Sequence, residues 1–163
     1  MESNETDPTT VSALRPMRLL LNEMDDDIGR LYEERGVEGV RPRFSMTLIK
    51  LRHLGPMTIR QLAVAVEVTH SAMSQTITAM RGAGLVESTT GTDARTRTIS
   101  LTVKGRELVP FLEDEWRATE AALAELEAEI PYPLTQVIRD MAAALQHRSF
   151  HDRIVAHLTG GGK

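Results

Sequence analysis

The sequence of 163 residues contains no cysteine and few aromatic side chains, namely three Phe, two Tyr and one Trp. Without cysteine, disulfides, thiolate zinc sites, iron–sulfur clusters and cysteine-based peroxide sensing are excluded within this chain. Leu, Val, Ile, Ala and the eight Met must therefore fill the interior. No apolar run approaches the roughly 18 residues of a membrane span and no signal-peptide core is present, so we expect a soluble cytoplasmic protein.

The net charge of −4 conceals a strong segregation of charge along the chain. Residues 1–40 carry −6 and residues 107–163 carry −5, whereas residues 41–106 hold 10 Lys and Arg against 3 Asp and Glu, giving +7. Salt screens charges beyond roughly 8–10 Å, so the local charge decides affinity for a polyanion. A basic block between acidic flanks indicates a nucleic-acid contact surface, and the alternative is chance clustering on a solvated surface.

The basic block begins with two short helical patterns. Thr58 is a good N-cap and Gln61 follows at the spacing of a capping box. After a tight connection at residues 67–68, Thr69 can cap a second helix that runs to about Ala83. Met73, Ile77 and Met80 recur at helical spacing and should face inward, which leaves a polar outward face. Two helices of this size, the second with a polar face, are typical of a helix-turn-helix.

A hairpin pattern follows these helices. Gly84 stops the second helix, and residues 85–90 and 97–101 have strand composition. Residues 91–95 form a short loop with a glycine and two charges, and residues 102–105 cap the next helix. A hairpin directly after a helix-turn-helix is a wing.

An ordered set of residues in this block resembles the MarR family of bacterial winged-helix transcription regulators. The set comprises Leu62-Ala63, Ser74, Gly84-Leu85-Val86, Asp93-x-Arg95 and Leu101-Thr102-x-x-Gly105. The resemblance extends over most of the chain from about Pro16. It implies a homodimeric, sequence-specific double-stranded DNA-binding regulator, most often a repressor released by a small aromatic or phenolic ligand.

The predicted fold is mainly α, a winged helix-turn-helix with a two-stranded wing and long helices that form a dimerisation region. Apolar stripes predict helices over 16–32, 44–54, 103–130, 134–147 and 150–158. The long helix carries a heptad-like seam from Val109 to Ile130, which favours pairing with a second copy over a purely intramolecular core. We therefore predict a disordered segment at 1–12, a dimerisation region at 13–42 and 107–158, a DNA-binding region at 43–106 and a flexible tail at 159–163.

The predicted DNA contacts come from the second of the two short helices, from the wing, and from three predicted phosphate contacts, Arg43, Thr58 and Arg60, of which Thr58 lies at a helix N-terminus. Gln75 can bond adenine, and Ser and Thr hydroxyls on the same helix can meet any base. The resemblance implies that Arg95 enters or covers the minor groove, that Asp93 orients it, and that Arg97 adds a second contact. The full predicted set is Arg43, Thr58, Arg60, Thr69, His70, Ser71, Ser74, Gln75, Thr78, Arg81, Asp93, Arg95 and Arg97.

The sequence also offers candidate residues for a ligand crevice and for a metal site. Aromatic and imidazole side chains at Tyr32, Phe44, His53 and Trp116 could line an effector site, and core packing is the alternative for each. His147 and His151 are four residues apart, but a closed metal site needs four ligands and Ser149-Phe150 is a potential helix break. Three consecutive aspartates at 25–27 point in different directions on a helix, so they cannot converge on one metal ion. No metal and no cofactor is predicted.

The sequence contains no Gly-rich phosphate loop, nucleophile elbow or HExxH motif, so no enzyme is predicted. Two rival hypotheses to a ligand-released repressor stay open: a winged-helix module for protein interaction or dimerisation that has lost DNA binding, and a metal-responsive regulator. The expected partners are a pseudo-palindromic DNA operator, a second copy of the chain and a small effector.

Overall fold

The computed structural model of the chain describes residues 7–90 and 97–160. Within these ranges the elements follow in the order α1 (Arg15–Glu34), α2 (Ser45–Leu54), α3 (Ile59–Ala65), α4 (His70–Gly82), β1 (Val86–Thr90), β2 (Arg97–Leu101), α5 (Val103–Glu129), α6 (Leu134–His147) and α7 (Phe150–Gly160). The predicted mainly helical winged-helix fold is confirmed. None of the described helices is long and apolar enough to cross a bilayer.

The ends of the chain differ in detail from the sequence prediction. Residues 7–12, predicted to be disordered, include a single 3₁₀ turn at Pro8–Thr10 whose first amides are capped by Asp7. The hydrogen bonds from Thr9 lower the pKa of the Asp7 carboxyl. At the other end, α7 continues into the predicted tail as far as Gly160. Residues 1–6 and 161–163 lie outside the described part of the chain.

Local hydrogen bonds fix the start of both short helices. The Thr58 hydroxyl accepts from the Gln61 amide at 3.2 Å, and the Gln61 side chain accepts from the Thr58 amide at 2.9 Å, so the predicted capping box is present. Glu67 adopts a left-handed φ of 58° in the turn to α4, which the Val68 amide closes by donating to the Ala63 carbonyl at 3.0 Å. Thr69 then caps α4 by accepting from the Ala72 amide at 3.1 Å.

The two strands pair antiparallel in a register that runs from Val86 opposite Leu101 to Thr90 opposite Arg97. A further backbone segment joins the sheet, because Met57 and Ile99 exchange two hydrogen bonds of 3.1 and 2.8 Å. The start of α3 is therefore tied to the second strand of the wing. This tie holds the hairpin beside the helix-turn-helix.

A single apolar cluster holds α1 to α5 together. It includes the inward face that the sequence predicts for α4, with Met73, Ile77 and Met80 all buried. Tyr32 lies edge to face with Phe111 at 5.7 Å between ring centroids, and its hydroxyl bonds the buried Ser45 hydroxyl at 2.7 Å. The remaining members are Phe44, Leu48, Leu51, Leu62, Ala63, Leu85, Val86, Ile99, Leu101, Val109 and Leu112.

The chain divides into two compact units, the first ending at Asp114 and the second beginning at Glu115. The first unit is larger than the predicted DNA-binding region 43–106, because its core needs Tyr32 from α1 and Val109 and Leu112 from α5. Within the second unit, Glu127 accepts hydrogen bonds from the Thr135 amide at 2.7 Å and from its hydroxyl at 3.0 Å. These bonds cap the start of α6.

Gly105 permits a very close approach of α5 to the turn before the hairpin. A Cβ atom at this position would lie 2.1 Å from the Leu85 carbonyl oxygen and 3.1 Å from the Leu85 carbonyl carbon. Both atoms are backbone, so a larger residue requires α5 or the turn to move. The glycine is therefore required by packing and not by its backbone conformation.

We predict that Gly105→Ala lowers the free energy of unfolding by about 2 kcal/mol, and the melting temperature by roughly 4–8 °C, because the added methyl overpacks this contact. Gly82→Ala is the matched control, since a Cβ there meets nothing within 4 Å. In a helix this change should raise stability by about 0.5 kcal/mol. Thermal unfolding followed by circular dichroism measures both, and equal melting temperatures for Gly105→Ala and the wild type would contradict the packing argument.

Candidate nucleic-acid interface

Helix α4 divides its side chains between the core and the surface. Met73, Ile77 and Met80 bury the inner face, each at most 2% exposed. The outer face holds most of the predicted base contacts, and its members His70, Ser71, Gln75, Thr78 and Arg81 are exposed, with Ser74 half-buried. The structure thus brings these predicted residues together on one polar surface.

The hydroxyl groups on this face are not equivalent. Thr69 uses its hydroxyl oxygen to accept from the Ala72 amide, so it serves the helix end. The Thr78 hydroxyl donates to the Ser74 carbonyl one turn earlier, at 2.9 Å. While that bond persists, Thr78 can only accept from a base, which favours the amino groups of adenine or cytosine in a major groove. Gln75 carries both donor and acceptor groups on one amide and suits adenine.

The predicted phosphate contacts lie at the starts of α2 and α3. The Thr58 hydroxyl accepts from the Gln61 amide and donates to the Gln61 side chain at 3.0 Å, so the capping box already uses it. Arg60 is exposed in the first turn of α3. Arg43 is also exposed, and its guanidinium carbon lies 5.7 Å from the centre of the Phe44 ring, a cation–π distance that restricts the arginine.

The wing is described only up to its tip. Arg97 begins β2 on the exposed side of the hairpin, opposite Thr90. The neighbouring pair Thr89 and Thr98 places two hydroxyl oxygens 3.2 Å apart across the strands. Asp93 and Arg95, the predicted minor-groove pair, lie outside the described residues. Their role stays a prediction.

The sequence did not indicate the structural role of residues at the start of α5. The Lys104 ammonium donates to the Ala83 carbonyl at 3.0 Å, and the Thr102 hydroxyl donates to the Gly84 carbonyl at 2.7 Å. Arg106 donates to the Leu101 carbonyl at 2.7 Å. These contacts fix the end of α4 to the base of the hairpin. Two charged residues of the basic block, Lys104 and Arg106, therefore stabilise the fold. Only their contacts in the structure reveal this role.

The four predicted ligand residues have different surroundings. Tyr32 and Phe44 belong to the core, each 1% exposed. His53 is exposed and bonds Glu113 at 2.7 Å, while Trp116 belongs to the second unit. Of the four, Tyr32 borders a cavity of about 820 Å³ between α1 and residues 36–43. A role for these residues in effector binding stays a prediction.

The histidine pair considered for a metal is split between two helices. His147 ends α6, Arg148 is extended with φ −150° and ψ 121°, and His151 lies in α7. Hydrogen bonds with Ser149 and then His151 lower the pKa of Asp152. In the described ranges, no group of three or more His, Asp or Glu side chains is placed to hold a metal ion.

Comparison with known proteins agrees with this geometry. Residues 44–96 match the sequence model of the MarR family. A MarR-family transcriptional regulator from Silicibacter pomeroyi DSS-3 superimposes with a TM-score of 0.52 at 26% identity, over 79% of this chain and 93% of its own. No curated protein matches the sequence.

Two further solved structures share the fold and were determined in complex with DNA. MepR of S. aureus aligns with a TM-score of 0.63 at 18% identity, over 84% of this chain and 98% of its own. The transcriptional regulator MosR of M. tuberculosis aligns with a TM-score of 0.58 at 24% identity, over 84% of this chain and 96% of its own. The MarR family consists of transcription regulators and not of enzymes. Residues 44–96 of this chain thus match the MarR family, and the resemblance predicted from the sequence is confirmed.

Proposed function

We propose that this chain is a homodimeric, sequence-specific double-stranded DNA-binding regulator of transcription, and that it acts as a repressor released by a small molecule. The observation that carries the proposal is the polar outer face of α4 within the basic block. That face is held outward by three buried side chains, Met73, Ile77 and Met80. The charge of +7 over residues 41–106 supplies the attraction for phosphate.

Two similar structures that were solved with bound DNA support the same function. MepR and MosR share the fold of this chain, and both were solved in complex with DNA. A regulator of this kind acts on the chromosome, so we place the protein in the cytoplasm.

The chemistry of the α4 face favours shape recognition over strong direct readout. Between His70 and Thr78 the exposed face offers hydroxyl, imidazole and amide groups, and its only guanidinium is Arg81 in the last turn. Arginine bonded to guanine is the commonest specific base contact, so few strong base contacts are available. Arg95 and Arg97 in the wing are suited to recognition of DNA shape, because narrow A·T-rich minor grooves attract arginine.

Dimerisation is supported by the apolar surface of the second unit. On α6, Val137, Ile138, Met141 and Leu145 lie on one helical face, and all are at least 40% exposed. Exposed apolar patches of this kind mark contact surfaces. A two-fold dimer places two recognition helices about 34 Å apart, so the operator should be a pseudo-palindrome with half-sites one helical turn apart.

Repression, and release from DNA by a small molecule, are proposed from the resemblance to the MarR family.

The rival hypothesis is a winged-helix interaction module without DNA binding. Salt dependence separates the two, because phosphate contacts release counterions and make affinity fall steeply with salt. Genomic fragments selected by the purified protein supply the operator for this test.

Arg95→Ala should lower affinity for every duplex and reduce the slope of log K against log salt by about 1, because one phosphate or groove contact is lost. Fluorescence anisotropy at several salt concentrations measures this. Arg139→Ala removes the same charge from exposed α6 and should leave the slope unchanged. Identical binding by the Arg95 variant at every salt concentration would reject a role for the wing.

Gln75→Ala should relax the base preference at one position of each half-site, at a cost of roughly 1–3 kcal/mol against the preferred base. Selection from a randomised duplex library measures the preference. Gln146→Ala, an exposed glutamine on α6, is the control. A uniform loss of affinity without a change of preference would make Gln75 a backbone contact.

We expect the wild-type chain to sediment as a dimer at micromolar concentration. The double change Ile138→Glu and Leu145→Glu places two charges on the apolar face of α6 and should give monomers. The loss of bivalency should then weaken operator binding by roughly 100-fold or more. Gln146→Glu adds one charge at a polar position of the same helix and should remain dimeric. A monomeric wild type would contradict the proposal.

A further inference from the structure

Helix α4 exposes one apolar side chain among its polar ones. Within this fully described helix, Ala72 is the exposed residue with an apolar side chain, because the other apolar residues are buried or half-buried. Gln75 follows three residues later and is exposed as well. Residues at this spacing are neighbours on a helix surface, with Cβ atoms roughly 5–6 Å apart. The Ala72 methyl group and the Gln75 amide therefore lie side by side on the outer face.

Val68, in the turn before α4, adds a second apolar group at the same place. Val68, Ala72 and Gln75 border one cavity of about 240 Å³. The Val68 amide donates to the Ala63 carbonyl at 3.0 Å, so the turn fixes its backbone, while the residue stays 42% exposed. Val68 and Ala72 thus form a small apolar patch beside the Gln75 amide, and we call these two residues the methyl patch.

The charges around the methyl patch favour DNA as its occupant. Arg43 is exposed and borders the same cavity, and none of the described residues that border it is Asp or Glu. The patch also belongs to the basic block, which carries +7 over residues 41–106. This combination suits a polyanion that presents apolar groups. In the major groove of duplex DNA those groups are the 5-methyl groups of thymine.

We propose that Ala72 and Val68 are specificity-determining residues, which contact the 5-methyl group of a thymine next to the adenine that Gln75 bonds. Successive bases of a strand lie about 3.4 Å apart along the helix axis, so neighbouring side chains on α4 can reach neighbouring base pairs. The inference rests on the proposed function and names a chemical group that the protein recognises. Each half-site should then contain two adjacent A·T base pairs, and the methyl group should distinguish thymine from uracil at one of them.

Replacement of thymine by deoxyuridine in the selected operator removes the methyl group and keeps the hydrogen-bonding groups of the base. Each thymine of the half-site is replaced in turn, and binding to the full wild-type chain is measured by fluorescence anisotropy. At one position we expect affinity to fall by about fourfold for each half-site, which corresponds to the burial of one methyl-sized group. Unchanged affinity at every thymine, or half-sites that contain no thymine, would reject the proposal.

Substitutions in the methyl patch decide whether this surface reads the methyl group. In the double variant Ala72→Gly and Val68→Ala, the effect of deoxyuridine should shrink from about fourfold to less than twofold. Val64→Ala is the matched control, because Val64 is 75% exposed on α3 and does not border the cavity, and it should keep the fourfold effect. If the double variant failed to fold, Ala72→Ser presents a hydroxyl of similar size and should also reduce the effect. A fourfold effect that persists in the folded variant would overturn the proposal.

Failure of this inference and failure of the proposed function give different results in the same titrations. A chain that binds no duplex even at low salt rejects the proposed function, and the inference with it. Salt-dependent binding that is indifferent to every thymine methyl group rejects the inference alone. Salt-dependent binding with a deoxyuridine effect that the methyl-patch variant loses and the Val64 variant keeps supports both.

Discussion

The burial of one face of α4 is the constraint on which the rest of the structure depends. Met73, Ile77 and Met80 enter the core, and this orientation leaves His70, Ser71 and Gln75 at the surface. At roughly 25 cal/mol per Å² of apolar surface, burial of three such side chains contributes several kcal/mol, more than any single hydrogen bond on the helix. The core therefore determines which side chains can meet a ligand of the size of duplex DNA.

Hydrogen bonds at the ends of elements make this orientation precise. The capping box at Thr58 and the cap at Thr69 set where α3 and α4 begin. Lys104 and Thr102 bind the carbonyls at the end of α4, and Met57 pairs with Ile99 of the hairpin. Helix α4 is thus held at both ends by hydrogen bonds between side chains and its backbone. Its outer side chains need not contribute to stability, which leaves them available for recognition.

Local patterns in the sequence predicted the elements well, and spatial contacts explain what they missed. The spacing of Thr58 and Gln61 specified a capping box, and the four- and three-residue steps through Met73, Ile77 and Met80 specified the buried face. The limits of the first unit were not predictable from periodicity, because Tyr32 and Ser45 meet only once α1 folds back on α2. The structural use of Lys104 likewise depends on a neighbour distant in sequence, the Ala83 carbonyl. The wing tip, with Asp93 and Arg95, lies outside the described residues and its role stays a prediction.

Charge is segregated along the chain, with the basic block in residues 41–106 and acidic segments on either side of it in sequence. We therefore expect duplex DNA to bind the basic block. Hydrogen–deuterium exchange of the full chain, with and without a selected duplex, tests most directly whether DNA contacts the basic block. We expect that the duplex slows exchange in residues 58–83 and leaves exchange in residues 134–158 unchanged. Slowed exchange confined to residues 134–158, with residues 69–82 unaffected, would contradict it.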